Sequence, residues 1–279
     1  MRRRIFVTGA SGRLGSACAR MWREAHDIIP FDLHAPGDAS DSFITGSITD
    51  PDAVERAMAD ADTVVHCAAI PGTRKPYHAL VETNVLGTFN VLEAAGRNPR
   101  VERFVFISSL MYHGLSEPPF TNRPLYLPID EGHPSLATDY YACSKVEAEY
   151  WCRSYVRRFG KPVVTIRPPY IVGMESLDSM AAQPPPDYPH LCDYIGVTDL
   201  AEAIERAIEY EPPDGYDVFL VHAEDQRSST PSLELAERHF AGVPLDRAWL
   251  ETCGGFGSFV RYARAINKLG WRPKFRCAR

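Results

Sequence analysis

A doubly wound, parallel α/β sheet carrying a small C-terminal lobe is the fold this sequence predicts, on three observations. Short runs dense in Val, Ile and Phe recur through residues 1–167, each followed by a stretch with helical spacing. Strands that are apolar on both faces belong to a parallel sheet covered by helices on both sides. The first run opens into a glycine-rich turn at the start of a helix. The length, 279 residues with 45% apolar and 24% charged, suits one large domain or a domain with an appended lobe.

In order, "RRIFVTGA" reads as a strand, "RLGSACARMWREA" as a helix and "HDIIPFD" as a second strand. "TDPDAVERAMADA" is a helix with Asp50 at the N-cap and Pro51 at its first position. "DTVVHCAAI" is a strand, "YHALVETNVLGTFNVLEAAGRN" a helix and "ERFVFISS" a strand. "TDYYACSKVEAEYWCRSYVRRFG" is a long helix stopped by Gly160, and the strand "PVVTIRP" follows. Regularity then fades: "MESLDSMAAQPPPDYPHLCDY" is Pro-rich and reads as a loop. "TDLAEAIERAIEYE" is a helix capped by Thr198 or Asp199, "YDVFLVHA" a strand, "SLELAERHFAG" a helix, and "RAINKLGW" supplies one more helical turn.

The net charge is −6 and no run of like charge exceeds the opening "RRR". Nucleic acid and anionic membrane are therefore not expected partners. After "MRRRIFV" the apolar run stops at Thr8 and Gly9, so residue 5 onward reads as a buried strand rather than a leader. No stretch approaches the roughly 18 apolar residues of a membrane span. Cys18, Cys67, Cys143, Cys152, Cys192, Cys253 and Cys277 are scattered without a C-x-x-C pair, which fits free thiols and a cytoplasmic location. The nine histidines show no metal-binding pattern, so no metal is expected.

"TGASGRLG" puts Gly9, Gly12 and Gly15 between a strand and a helix. Glycines there allow a tight turn and close backbone approach, and the helix N-terminus offers N–H groups and partial positive charge to a pyrophosphate. A glycine-rich turn without a ligand is the competing reading. Ser11, Arg13 and Leu14 complete the loop and are expected to contact the cofactor. Asp32 ends the second strand about 20 residues on, where a carboxylate accepts from adenosine ribose hydroxyls and repels the extra phosphate of NADP. The cofactor expected is NAD rather than NADP. Arg13, which could reach a 2'-phosphate, pulls the other way, and a loop-capping Asp32 is the structural alternative.

In "DYYACSK", helical spacing pairs Tyr141 with Lys145 and Tyr140 with Ser144. A phenol that exchanges protons near neutrality must come well down from its ordinary pKa of about 10, and a nearby ammonium supplies part of that change. An isolated Y-x-x-x-K usually marks an exposed helical pair. Here "FVFISSLMYHG" ends a strand at Ser108 and Ser109, where a doubly wound sheet places its site. Arg74, Lys75, Tyr170 and the "YHG" after Ser109 are further pocket candidates, with solvated charge or aromatic packing as their alternatives.

Together "TGASGRLG", Asp32, "CAA", "NVLGTFNVLEAA", "FISS", "YYACSK", "RPPYIVG", "GVTDLAEAI" and "LGWRP" resemble the extended short-chain dehydrogenases/reductases, the NAD-dependent epimerase/dehydratase family. That resemblance implies a Rossmann-type sheet with a small C-terminal substrate-binding lobe, and a catalytic Ser109, Tyr141 and Lys145 with Tyr141 as general acid/base. It implies cofactor contacts from Ser47 and Ile48 beside the adenine, and from Ala68 and Ala69 under the cofactor. Ser108, Tyr141, Lys145, Pro168 and Ile171 are further implied cofactor contacts. Asn84 is implied to support the site helix or relay a proton, against the alternative of a bond within its own helix. A homodimer through the helices around Asn84 and Tyr141 is implied too.

Family dehydratases resemble one another in an Asp-Glu pair directly after the catalytic hydroxyl residue; Leu110 and Met111 stand there, which disfavours dehydration. Between "RPPYIVG" and "GVTDLAEAI" only a short Pro-rich segment remains, less than nucleotide-sugar epimerases usually carry. The expectation is an NAD-dependent oxidoreductase acting on a secondary alcohol or carbonyl of a small sugar, sugar acid or similar substrate. A nucleotide-sugar epimerase with retained NAD, and a non-catalytic NAD(P)-binding sensor or scaffold, are the alternatives. The expected division is a dinucleotide-binding part, 1–167, and a mainly substrate-binding part, 168–279, with some segments returning to the core.

Overall fold

In the computed structural model, which describes residues 2–37, 42–72, 76–115, 122–173, 187, 189, 191 and 193–276, the apolar runs are strands of one sheet. The first half comprises β1 (Arg4–Thr8), α1 (Arg13–Trp22), β2 (Asp27–Asp32), β3 (Ile44–Thr45), α2 (Pro51–Met58) and β4 (Thr63–His66). Next come α3 (Tyr77–Val81), a π-helical turn (Glu82–Gly87) and α4 (Thr88–Arg97), which form a continuous rod, then β5 (Arg103–Ile107). A 3-10 turn (Leu110–His113), α5 (Tyr140–Phe159), β6 (Val163–Arg167), β7 (Ile171–Val172), β8 (Ile195–Gly196), α6 (Val197–Glu209) and β9 (Tyr216–Leu220) follow. The C-terminal helices are α7 (Ser232–His239), α8 (Arg247–Leu250), α9 (Thr252–Gly255) and α10 (Ala263–Leu269).

Seven parallel strands run in the order β3-β2-β1-β4-β5-β6-β9. Alternation across the pleat supplies two cores. Phe6, Val64, Phe104 and Phe106 pack with Met58, Val91 and Tyr155 of α2, α4 and α5. Val7, Val65, Val105 and Val164 pack with Trp22, Leu200 and Ile204 of α1 and α6. A third cluster, including Leu127, Ile129, Leu235, Phe240, Phe259 and Val260, joins the segment between β5 and α5 to residues 191–260. The chain crosses from β3 on one side of β1 to β4 on the other, so the crevice lies beyond the carboxyl ends of β1 and β4.

Helix starts follow local chemistry. Asp50 accepts from the Ala53 N–H at 3.0 Å and Asp139 from the Ala142 N–H at 2.8 Å, while Gly160 takes φ 66° to end α5. The expected cap of α6 is corrected: the helix begins at Val197 with Gly196 before it and has no side-chain cap. The Asp199 carboxylate is instead buried and accepts from the N–H groups of Lys274 and Phe275, both at 2.8 Å, tying down the C-terminal segment. The helix expected over 77–98 carries a π-helical turn, and β3, the 3-10 turn, β7, β8, α8 and α9 add to the expected elements. Most of the Pro-rich loop, together with Arg74, Lys75, Cys192 and Cys277, lies outside the described residues.

Candidate active site

At the end of β1 the backbone turns sharply, because Gly9 has φ +69° and a Cβ there would sit 2.8 Å from the Ala68 nitrogen. A Cβ on Gly15 would collide with the Gly9 carbonyl oxygen. Strand, turn and helix can therefore nest only with glycine at these places. Gly12 precedes α1 in extended conformation without a capping side chain, so the first N–H groups of the helix lack a side-chain partner. This cradle fits a dinucleotide pyrophosphate. Leu14 is buried beneath the loop, and Ser11 and Arg13 are exposed on it.

Asp32 stands beside the cradle at the end of β2. It accepts from the Ser11 N–H at 2.9 Å and the Leu33 N–H at 2.7 Å, and the Ser11 hydroxyl donates to the His34 carbonyl. A strand-end carboxylate held in this way joins the glycine loop to the segment after β2. Arg13 turns toward the loop after β6: its Nη1 donates to the Ile171 carbonyl at 2.8 Å, and its guanidinium lies 5.9 Å from the Tyr170 ring centroid. Tyr170 is exposed and Pro168 buried, with the Pro168 carbonyl accepting from the Leu110 N–H at 2.8 Å. Ile48 is buried against Gly87, and the Ser47 hydroxyl bonds Thr49 at 2.7 Å.

Ala68 and Ala69 follow β4 and are partly buried. His66, at the end of β4, bridges the Thr8 and Thr88 hydroxyls at 2.7 and 3.0 Å; burial, then Lys145, bring it to about 3, a neutral packing histidine. Asn84, in the π-helical turn, accepts from the Ile70 N–H at 2.8 Å and donates to the Ile70 carbonyl at 3.0 Å and the Ser144 hydroxyl at 3.2 Å. It thus links the segment after β4 to the site helix, and the alternative of a bond within its own helix is not the one seen.

Tyr141 and Lys145 lie together on α5 beside the end of β5, and Ser109 stands at the start of the 3-10 turn that follows that strand. Lys145 is 4% exposed; its Nζ donates to the Ile107 carbonyl at 2.9 Å and lies 5.1 and 5.8 Å from the ring centroids of Phe106 and Tyr141. Burial brings its pKa down to about 8, against the opposing pull of Cys67 and Glu149. Tyr141 is buried. Two residues beyond Ile107, Ser109 starts the 3-10 turn, its Oγ accepting from the Met111 N–H at 3.1 Å. Cys67 is pushed up to about 12 by burial, so it is a thiol rather than a thiolate.

Behind these groups lies a charge pair with no sequence motif. Glu149 and Arg167, 1% exposed each, make two 2.8 Å bonds from Nε and Nη2 of the arginine to the two carboxylate oxygens. The Ser108 hydroxyl donates to the same carboxylate at 2.7 Å. Its hydroxyl is thus engaged with the network. Only the i+4 step from Lys145 to Glu149 was available in the sequence, and it says nothing of an arginine on another strand.

The chain matches the model of the NAD dependent epimerase/dehydratase family over residues 5–219. It belongs to that family, one of NAD(P)-dependent dehydrogenases and epimerases, the extended short-chain dehydrogenases/reductases. Among relatives, an L-arabinose 1-dehydrogenase (NAD(P)(+)) of Haloferax volcanii is 29% identical over 231 residues, 80% of this chain and 90% of its own. A UDP-glucose 4-epimerase of Corynebacterium glutamicum is 25% identical over 312 residues, 97% of this chain and 91% of its own. In fold, the chain is similar to a short-chain dehydrogenase/reductase superfamily protein of Agrobacterium tumefaciens solved with bound NAD. The TM-score is 0.76 at 21% identity, over 98% of this chain and 93% of that one. A mutated uronate dehydrogenase gives a TM-score of 0.70 at 20% identity, over 99% of this chain and 83% of that one. Among the described residues no helix is long and apolar enough to cross a membrane, and no cluster of His, Cys, Asp or Glu could hold a metal ion.

Proposed function

We propose that this chain is an NAD-dependent dehydrogenase that oxidises a secondary alcohol of a small sugar or sugar acid, or reduces the matching carbonyl, with Tyr141 as general acid/base. The observation that carries the reading is the buried Lys145 ammonium, held by the Ile107 carbonyl within 5.8 Å of the Tyr141 ring. A cation there favours the phenolate over the phenol. With its pKa at about 8, Lys145 is mostly protonated at neutral pH.

The glycine cradle and Asp32 would hold the cofactor, and the strand-end carboxylate favours NAD over NADP. When bound, the nicotinamide supplies the acceptor for the hydride that leaves the carbinol carbon. Ser109 holds the substrate oxygen, and Tyr141 takes the hydroxyl proton at Oη as the carbonyl forms. In the reverse direction Tyr141 returns that proton. Asn84 supports the helix through Ser144.

The match to a UDP-glucose 4-epimerase over 97% of this chain favours a second reading, an epimerase that retains NAD. One assay separates the two. Added NAD gains absorbance as NADH with L-arabinose or a uronate under the first, whereas UDP-glucose is interconverted without net cofactor change under the second. Exposed Tyr77, Val81, Leu86, Tyr140 and Tyr150 on the rod of α3 and α4 and on α5 suit a homodimer, which sedimentation would test. We place the enzyme in the cytoplasm, on its scattered cysteines; labelling of unfolded protein isolated under thiol-blocking conditions checks that they are reduced.

A further inference from the structure

We propose that the buried Glu149–Arg167 pair is a positioning device that holds the strand-end serines against the Tyr141–Lys145 helix and so sets where Ser109 stands. The proposal rests on the reading of Ser109, Tyr141 and Lys145 as the reacting groups.

Tyr141, Lys145 and Glu149 follow one another at four-residue steps and share a face of α5, all three buried. Glu149 Oε1 accepts from the Ser108 hydroxyl at 2.7 Å and from Arg167 Nε at 2.8 Å. Oε2 accepts from Arg167 Nη2 at 2.8 Å and from the Tyr216 hydroxyl at 3.3 Å. The remaining arginine nitrogen, Nη1, reaches His113 Nε2 at 3.3 Å, and the guanidinium lies 3.5 Å from the Tyr112 ring centroid. Tyr112 and His113 belong to the 3-10 turn that Ser109 begins. One carboxylate therefore grips the residue before Ser109, and its arginine grips the turn after it.

The protonation states agree with this arrangement. Burial and Arg167 hold His113 well below the ordinary imidazole range, so it is neutral. Its Nε2 can then accept from Arg167 while Nδ1–H donates to the His133 carbonyl at 3.1 Å. A buried ion pair is often no more stabilising than apolar side chains of the same size. Here the fork joins α5 to β6, and its further bonds to Ser108 and His113 fix the segment that follows β5 on both sides of Ser109. A shift of about 1 Å in a reacting group is enough to lower turnover greatly.

Ser108→Ala tests the link with the least risk to folding, since it removes one hydroxyl and leaves the ion pair whole. Turnover is followed with L-arabinose or a uronate and NAD and, separately, with UDP-glucose, alongside NADH titration by fluorescence. The expected result is a fall in kcat of roughly tenfold or more with KM and NADH affinity within about twofold of the parent. Ser108→Thr, which keeps a hydroxyl, restores kcat. Arg167→Lys, which keeps the charge and loses the fork, lowers kcat in the same way in protein whose thermal unfolding is still cooperative. Parental kcat in Ser108→Ala overturns the proposal, and so does loss of NADH binding in step with kcat, which would return Ser108 to the cofactor. Tyr141→Phe distinguishes the failures: if it is inactive while Ser108→Ala is normal, the positioning role fails alone. If Tyr141→Phe is fully active, or the parent turns over none of L-arabinose, a uronate and UDP-glucose, the underlying reading fails and the proposal with it.

Discussion

Tyr140 and Tyr141, neighbours in the chain, end in opposite environments. Tyr140 is 57% exposed and its ring meets that of Tyr77 at 4.8 Å, whereas Tyr141 is 9% exposed with the Lys145 ammonium 5.8 Å from its ring. A helix advances about 100° per residue, so one step along α5 carries a side chain from surface to site. Tyr141→Phe is therefore expected to lower turnover roughly 100- to 10,000-fold, the span of general acid/base assistance. Tyr140→Phe should stay within a few-fold of the parent. Steady-state kinetics check both, with NADH titration to show that cofactor binding survives; equal losses would remove the distinction.

The glycine cradle gives a prediction about binding alone. Gly15→Ala places a methyl against the Gly9 carbonyl, while Gly37→Ala meets nothing within 4 Å. The first should weaken NADH binding by tenfold or more, a loss of about 1.4 kcal/mol, and the second should leave it unchanged. Fluorescence titration of both variants reads the contrast.

Asp32 sets the cofactor choice through charge. Replacing it with Ala removes the repulsion of a 2'-phosphate and the acceptor for ribose hydroxyls. The ratio of kcat/KM for NAD over that for NADP should fall by about tenfold or more, a differential of about 1.4 kcal/mol. A ratio that does not move would mean that the carboxylate serves only the Ser11 and Leu33 N–H groups it accepts from.

Lys145 carries a pH dependence of stability whose sign is fixed. Burial lowers its pKa from 10.5 to about 8. Between those values the unfolded chain holds more protons than the folded one, so stability rises with pH. The cost of the buried ammonium is full below pH 8, on the order of 3 kcal/mol for a change of that size. Lys145→Met should thus gain most over the parent near pH 7, and that advantage should shrink toward pH 10.5. Urea unfolding of both proteins across this window is the measurement. An advantage that stays constant with pH would contradict the buried charge.

What the sequence made legible was local. The cradle could be read because Gly9, Gly12 and Gly15 lie within one strand-to-helix turn, and Tyr141 because Lys145 is one helical turn away. The sheet followed from apolar runs at strand length. Arg167 was read only as a strand end, since its partner Glu149 is 18 residues away on the helix packed against its strand. Asp199 looked like a cap because the helical pattern starts nearby, yet its carboxylate serves backbone 75 residues later. Such pairings depend on how elements stack, which a single-sequence period does not carry. The π-helical turn was hidden for a related reason, as it adds a residue to a helix without changing its composition.

Asn84 in that turn presents a donor and an acceptor side by side, and both pair with the backbone of one residue, Ile70. A side-chain amide used in this way is a substitute peptide group, a one-residue false strand laid along the chain as it leaves β4. Its second N–H bond, to Ser144, makes the same amide a coupling rod to α5. The stretch leaving β4 and the helix that carries Tyr141 therefore share one side chain as a common anchor, so a single residue joins two elements that the sheet alone would hold separately.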